Sequence, residues 1–336
     1  MSASEDNHFG LLSHLDKLMG ELHDNVPKAM REFDVAGIHD ARVATRRLKA
    51  ALGLLTGVLT AEHLVAFDKV LKKIRRRLGP LRDMDVMIEH LGKLESHAVH
   101  GIAATWLKIH LEQCREAERA ESKEQTGSAD MLAKLGAWWH VREEVLDARE
   151  AIASLLAESL HLQLDAFVER AEGIVHQLSV EVATKDRQDP HELRIAGKLL
   201  RYTLELAQSE GHDLPAAVLR QFKRMQELLG NWHDDVVLIQ CAMQTSLDGQ
   251  LSYHDLDMQE RLLDLSRFFL RRASRELSSF STQWKKRGAD VARTIRERFP
   301  LTKPVPVTEP KTDPDPAGSD GTPVPATSAP DVASTA

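Results

Sequence analysis

The stretch IHDARVATRRLKAAL, Ile38–Leu52, returns in altered form as PHELRIAGKLLRYTLEL, Pro190–Leu206. His39 falls on His191, Arg42 on Arg194, Arg46 on Lys198, Leu48 on Leu200 and Lys49 on Arg201, each 152 positions later. In the first copy Ala41, Ala44, Leu48, Ala51, Leu52, Leu55 and Leu59 gather on one face at about 100° per residue, the pattern of an amphipathic helix. His39, Arg42, Arg46 and Lys49 stand at i, i+3, i+7 and i+10 on the opposite face. They span an arc of only about 80° and a length of roughly 15 Å. His191, Arg194, Lys198 and Arg201 keep the same spacing.

Moving outward, the repetition continues with a one-residue slip. Leu78-Gly79 recurs as Leu229-Gly230, Asp83 as Asp234 and Val86 as Val237. Lys69, Lys72 and Lys73 align with Arg220, Lys223 and Arg224, and Arg82 aligns with His233. Arg76 extends the first row, although its counterpart is Glu227. Two ordered blocks of this kind predict a duplicated all-α unit: two pseudo-symmetric helical bundles, about 9–135 and 137–299, facing each other across a central basic pore. Predicted helices span 9–32, 38–59, 63–78, 84–97, 102–124, 140–185, 190–208, 214–229, 233–246 and 255–298. Gly79-Pro80 and Gly230-Asn231 are read as the ends of two of them, since Gly and a following Pro commonly close helices.

Composition agrees with long helices. The chain has 336 residues, 42% hydrophobic and only two tyrosines, and nine of its 13 prolines lie between 300 and 330. Residues 300–336 are dense in Pro, Thr, Ser, Asp and Ala, lack aromatics beyond Phe299, and carry -3 of the formal charge of -7. Such a segment buries too little apolar surface to order itself and is expected to be a disordered tail. Cys114 and Cys241 have no CxxC partner, which excludes a disulfide framework and a thiolate zinc site. The acidic start lacks the order of a signal peptide, and the longest charge-free stretch near it, Ala50–Ala61, is too short to span a bilayer. A cytoplasmic protein without membrane insertion is expected.

One basic row on a helix is ordinarily a solvated face. Four rows paired by a repeat, in an acidic protein, create like-charge repulsion that a bound anion relieves. The candidate contacts are His39, Arg42, Arg46, its neighbour Arg47, Lys49, Lys69, Lys72, Lys73, Arg76 and Arg82 in the first half. The second half contributes His191, Arg194, Lys198, Arg201, Arg220, Lys223, Arg224 and His233. Nucleic acid beyond non-specific affinity calls for base contacts or stacking, and only Tyr202 and Phe222 lie near the rows. A bare phosphate chain needs only cations, Arg as paired donors and Lys as a point charge. Inorganic polyphosphate therefore fits best.

The histidines read as phosphate-oxygen donors. A metal site normally gathers carboxylates, whereas His39 and His191 each have an Arg one turn away. The alternative is a metal-dependent phosphohydrolase using His39, Asp40, His233 and Asp234; a non-specific nucleic-acid binder is a third reading. Glu205 is read as an orienting ion pair, and Asp83 and Asp234 as helix caps or anchors for a nearby cation. Trp138-Trp139 is assigned to the junction between halves, and the charged run Glu112–Glu124 to solvated surface.

These segments, with Leu78–Ile88 and Leu228–Ile239, resemble the CHAD family, the conserved histidine α-helical domain, over about residues 9–299. The resemblance implies two pseudo-symmetric four-helix bundles around a basic pore that binds polyphosphate without catalysis, with no metal or other cofactor. It also implies an association with polyphosphate granules and their proteins. Some relatives carry an N-terminal triphosphate-tunnel catalytic domain; about eight residues precede the first predicted helix here and no ExExK strand occurs, so none is expected. Glu227 in place of a base predicts a less symmetric pore.

Overall fold

The computed structural model describes residues 9–123, 128–180, 187–247 and 255–301. The helices are α1 (Gly10–Pro27), α2 (Val35–Leu54), α3 (Ala61–Gly92), α4 (Gly101–Lys123), α5 (Ser128–Ala133), α6 (Trp138–Asp147), α7 (Ile152–Gln177), α8 (Pro190–Ser209), α9 (Ala216–Ser246) and α10 (Leu256–Arg298). No strand occurs among the described residues, so the molecule is all-α. The expected tail lies outside them from residue 302 on, as does the end of the predicted helix 140–185.

The order of packing is the same in each half. Helix α1 packs on α2, α2 on α3 and α3 on α4; in the second half α7 packs on α8, α8 on α9 and α9 on α10. Helices α2 and α8 touch each other, as do α3 and α9. Asp34 caps α2 by accepting from the Gly37 amide at 2.6 Å, and Asp189 caps α8 by accepting from the His191 amide at 2.8 Å. Both histidine-bearing helices therefore begin at a fixed point. Helix α8 ends where Gly211 turns left-handed at φ 80°, and the His212 amide donates to the Ala207 carbonyl at 3.0 Å.

Neither glycine read as a helix end is one. Helices α3 and α9 run unbroken through Gly79-Pro80 and Gly230-Asn231 for 32 and 31 residues. Among the described glycines only Gly211 has a positive φ, so Gly79 and Gly230 never enter the left-handed conformation that closes a helix. Pro80 removes one backbone donor. One turn earlier, the Arg42 guanidinium donates to the Arg75 carbonyl at 2.8 Å. A Cβ on Gly79 would stand 3.3 Å from that guanidinium nitrogen, so the glycine makes room for the bond.

The buried side chains form two clusters, and the long helices join them. The larger holds α3 as far as Leu81 and α9 as far as Leu229. The smaller takes up α3 again at Met87 and α9 at Leu238, and packs them on Leu107 of α4 and on Leu262 and Phe269 of α10. Residues 82–86 and 233–237 therefore lie between two hydrophobic cores. Helix α7, with the turn before it (Arg149–Gln177), is apolar and long enough to cross a bilayer by composition. Its Leu156, Leu160, Leu164, Phe167 and Ile174 are each at most 1% exposed in the larger core.

Candidate anion-binding site

A cavity of about 710 Å³ opens among α2, α3, α8 and α9. Seven cationic side chains reach it: Arg42, Arg46 and Lys49 from α2, Arg75 and Arg82 from α3, and Arg194 and Lys198 from α8. His39, His191 and His233 join them, against two carboxylates, Asp83 and Asp234. The helix face that holds a basic row at i, i+3 and i+7 turns toward the cavity because its opposite face is buried. Ile38, Ala41, Ala44 and Leu48 on α2, and Leu193, Leu200 and Leu204 on α8, are each at most 3% exposed.

Two buried ion pairs anchor α3 and α9 to the helices that follow them. Arg115 of α4 holds Asp85 at 2.5 Å and also donates to the Phe33 carbonyl at 3.1 Å, fixing the corner that leads into α2. Arg272 of α10 grips fully buried Asp235 through two further contacts at 2.8 and 2.9 Å. These pairs tie α3 and α9 to the fourth helix of their half, while Arg82 and His233 reach the cavity. The charged run Glu112–Glu124 is thus not all solvated surface, because Arg115 within it is a structural clamp.

The cations are mostly uncompensated. Arg46, Arg75, Arg82, Arg194 and Lys198 make no ion pair and no hydrogen bond to any described residue, and the Nε of Arg194 is buried without a partner. Asp83 approaches Arg42 at 3.8 Å, and Asp234 approaches His90 at 3.9 Å. The aspartates are anchors rather than caps, since the helices they were expected to start are already running. The electrostatic consequence falls on every titratable neighbour. Burial, then Arg194, Arg46 and Arg201, brings the Lys198 ammonium down to about 7. Burial, then Arg194 and His191, brings His233 down to about 4. Burial and Arg82 lower His39 as well, while burial raises Asp234. At neutral pH the lining histidines His39 and His233 are therefore uncharged donors. The rings of His191 and His233 sit 5.0 Å apart.

Of the expected contacts, the cavity gathers His39, Arg42, Arg46, Lys49, Arg82, His191, Arg194, Lys198 and His233. The others lie elsewhere. Arg47 and Arg201 both bind Glu205, at 2.8 and 3.2 Å, and line a separate groove behind α8. The ion pair expected of Glu205 is present, two turns along α8 from Lys198 and outside the cavity. Lys69 and Lys72 line a groove that begins at Lys49, while Lys73 and Arg76 line another beside Glu118. Lys223 and Arg224 contact Glu227 at 4.0 and 3.7 Å, and Arg220 is exposed. The reason is rotation. Residues 9, 10 and 13 positions before Arg82 or His233 lie about 80–180° around the helix from them, so these rows face away from the cavity. Asp40 is exposed and does not line the cavity either. Trp138 binds Asp16 at 2.8 Å and packs on Phe67 within the larger core, whereas Trp139 is 61% exposed. Trp138 thus joins residues of the two expected halves, whereas Trp139 does not take part.

Arg75 escaped the sequence reading, though it stands seven residues before Arg82 and hence on the same stripe. The aliphatic lining also escaped it: Val86, Met87, Ile195, Leu199, Val237 and Leu238.

The CHAD-domain family profile matches residues 13–242. A solved structure, the crystal structure of the CHAD domain from the plant Ricinus communis, is similar with a TM-score of 0.52 and 18% identity. The match covers 88% of this chain and 91% of that one. No curated protein matches. With helical fold, duplicated histidine-bearing segments and a family match over most of its length, the chain belongs to the CHAD-domain family.

Proposed function

We propose that this protein binds inorganic polyphosphate in the cavity without cleaving it, and in the cytoplasm targets or holds polyphosphate granules together with granule-associated proteins. One observation carries the reading: among the described residues, five cations of the cavity form no ion pair and no hydrogen bond, and only two carboxylates share the cavity with its seven cations. Such a cluster destabilises the empty protein, and a polyanion that supplies many weakly directional oxygens relieves it along its whole length. Arg46 and Arg75 with Arg82 on one side, and Arg194 with Lys198 on the other, suit a chain lying between α2–α3 and α8. Nucleic acid is less suited, because Tyr202 is only 6% exposed and offers no stacking face. Hydrolysis through His39, Asp40, His233 and Asp234 is less suited, because Asp40 lies outside the cavity.

The test is titration with polyphosphates of defined length at two salt concentrations. Six phosphate contacts, from Arg42, Arg46, Arg75, Arg82, Arg194 and Lys198, predict a log–log salt slope of about -4 and affinity that rises with chain length. Equal affinity for pyrophosphate and long chains sinks the reading. Phosphate release with Mg²⁺ or Mn²⁺ that disappears in His39→Ala replaces it with the hydrolase; failure of polyphosphate to displace single-stranded RNA at matched phosphate replaces it with nucleic-acid binding.

A further inference from the structure

A bare phosphate chain leaves one wall of the cavity unexplained. Along α3 the lining changes from Arg75 and Arg82 to Val86 and Met87, and along α9 from His233 to Val237 and Leu238. Both helices thus pass from polar to aliphatic about one turn after Arg82 and His233. Met87 and Leu238 also belong to the smaller core, whose edge they expose. Ile195 and Leu199 do not: they belong to neither core, yet they line the cavity and remain 46% and 40% exposed. On the first-half helix, the position matching Leu199 is Arg47, so on the two histidine-bearing helices the exposed aliphatic pair Ile195 and Leu199 has no full counterpart in α2. Phosphate oxygens gain nothing against such a wall, because desolvating them there costs a hydrogen bond to water. A hydrocarbon gains in proportion to the apolar area it covers. The volume lies within the range of small-molecule pockets, which pair apolar walls with a few fixed polar groups.

We infer that the cavity also accepts a single-chain aliphatic ester of phosphate or pyrophosphate, its charged head among Arg46, Arg82, Arg194 and Lys198 and its hydrocarbon against Ile195 and Leu199. The inference shares the cavity with the polyphosphate reading but not its outcome, since head and tail are separable.

The experiment compares decyl pyrophosphate, below its aggregation concentration, with inorganic pyrophosphate by calorimetric titration of the full chain. At least tenfold tighter binding of the decyl ester is expected. Leu199→Arg, which restores the residue found at the matching first-half position, and Ile195→Thr are both at exposed sites. Each should remove most of that advantage while leaving the inorganic affinity within about twofold for Ile195→Thr. Arg46→Glu with Arg194→Glu should abolish binding of both ligands. Equal affinity of the two ligands in the parent protein overturns the inference. So does an advantage that survives both wall substitutions, which would place the hydrocarbon elsewhere. An Ile195→Thr variant that weakens both ligands alike overturns it too, because the wall would then serve only to lower the local dielectric. Binding of the decyl ester without any binding of polyphosphate would sink the polyphosphate reading and leave this one standing.

Discussion

Lys198 shows how strongly one residue feels the site. Its ammonium is held down to about 7 from 10.5 by burial and by Arg194, Arg46 and Arg201. Folding therefore expels a proton between those two values. The sign follows: the folded state is penalised most below pH 7, and the penalty fades as pH rises through the window to 10.5. Lys198→Met should accordingly raise the melting temperature of the ligand-free protein at pH 7 and low salt, and have little effect near pH 10.5; an unchanged or lower melting temperature at pH 7 contradicts the burial argument. A bound anion raises the same pKa again, so polyphosphate affinity should fall as pH climbs above 7, read by titration across pH 6–9. His233 acts at the other end. Its folded value near 4 against 6.5 means that the empty protein loses stability as pH drops through this interval, with melting at pH 4.5 lower than at pH 7. Arg42 is different from its neighbours, because it also supports α3 through the Arg75 carbonyl. Its replacement therefore mixes structural and binding effects, and Arg46 with Arg194 is the cleaner pair to reverse.

At the scale of the helix, the clamps matter more than the rows. Arg272 and Arg115 each neutralise an aspartate that is at most 8% exposed. Removing one partner strands a buried charge at a cost of about 3–5 kcal/mol. Arg272→Met should lose stability of that order in urea unfolding, and Asp235→Leu added to it should recover much of the loss. A loss under about 1 kcal/mol would mean that the pair does not hold α9 in place. The predicted break at Gly79-Pro80 failed for a reason of the same scale. A local signal for helix ending was overruled by burial of Leu78 and Leu81 on either side of the proline and by an arginine from the next helix. Propensity is a weak prior wherever tertiary contacts compete with it. Continuity has a consequence for the site, since Arg82, Asp83 and Val86 are placed only because α3 carries on between the two cores.

Over the whole molecule, repulsion in the cavity and cohesion in the cores oppose each other. A ligand that relieves the repulsion stabilises the fold by its binding free energy, about 2.7 kcal/mol at a hundredfold excess over the dissociation constant. Long-chain polyphosphate should therefore raise the melting temperature, and the rise should shrink with added salt. In Arg46→Glu with Arg194→Glu the ligand-free protein should melt no lower than the parent, and polyphosphate should no longer shift it. A variant that still shifts fully would place the polyanion on other rows, such as Lys69 and Lys72.

All-helical character and family membership were legible in the chain itself, because both rest on local periodicity. Apolar residues at helical spacing declare a buried face, and His39 and Arg42 recurring as His191 and Arg194 declare a second copy. Which cations converge was not legible. Arg75 and Arg76 are neighbours in sequence, yet only Arg75 reaches the cavity, because one residue turns the side chain by about 100°. Helices α3 and α9 are also tied down by Arg115 and Arg272, each from the helix that follows in its half. No pattern within α3 or α9 encodes which of its stripes meets α2 and α8; only the packed structure, where apolar faces and buried ion pairs compete for the same helix, decides it.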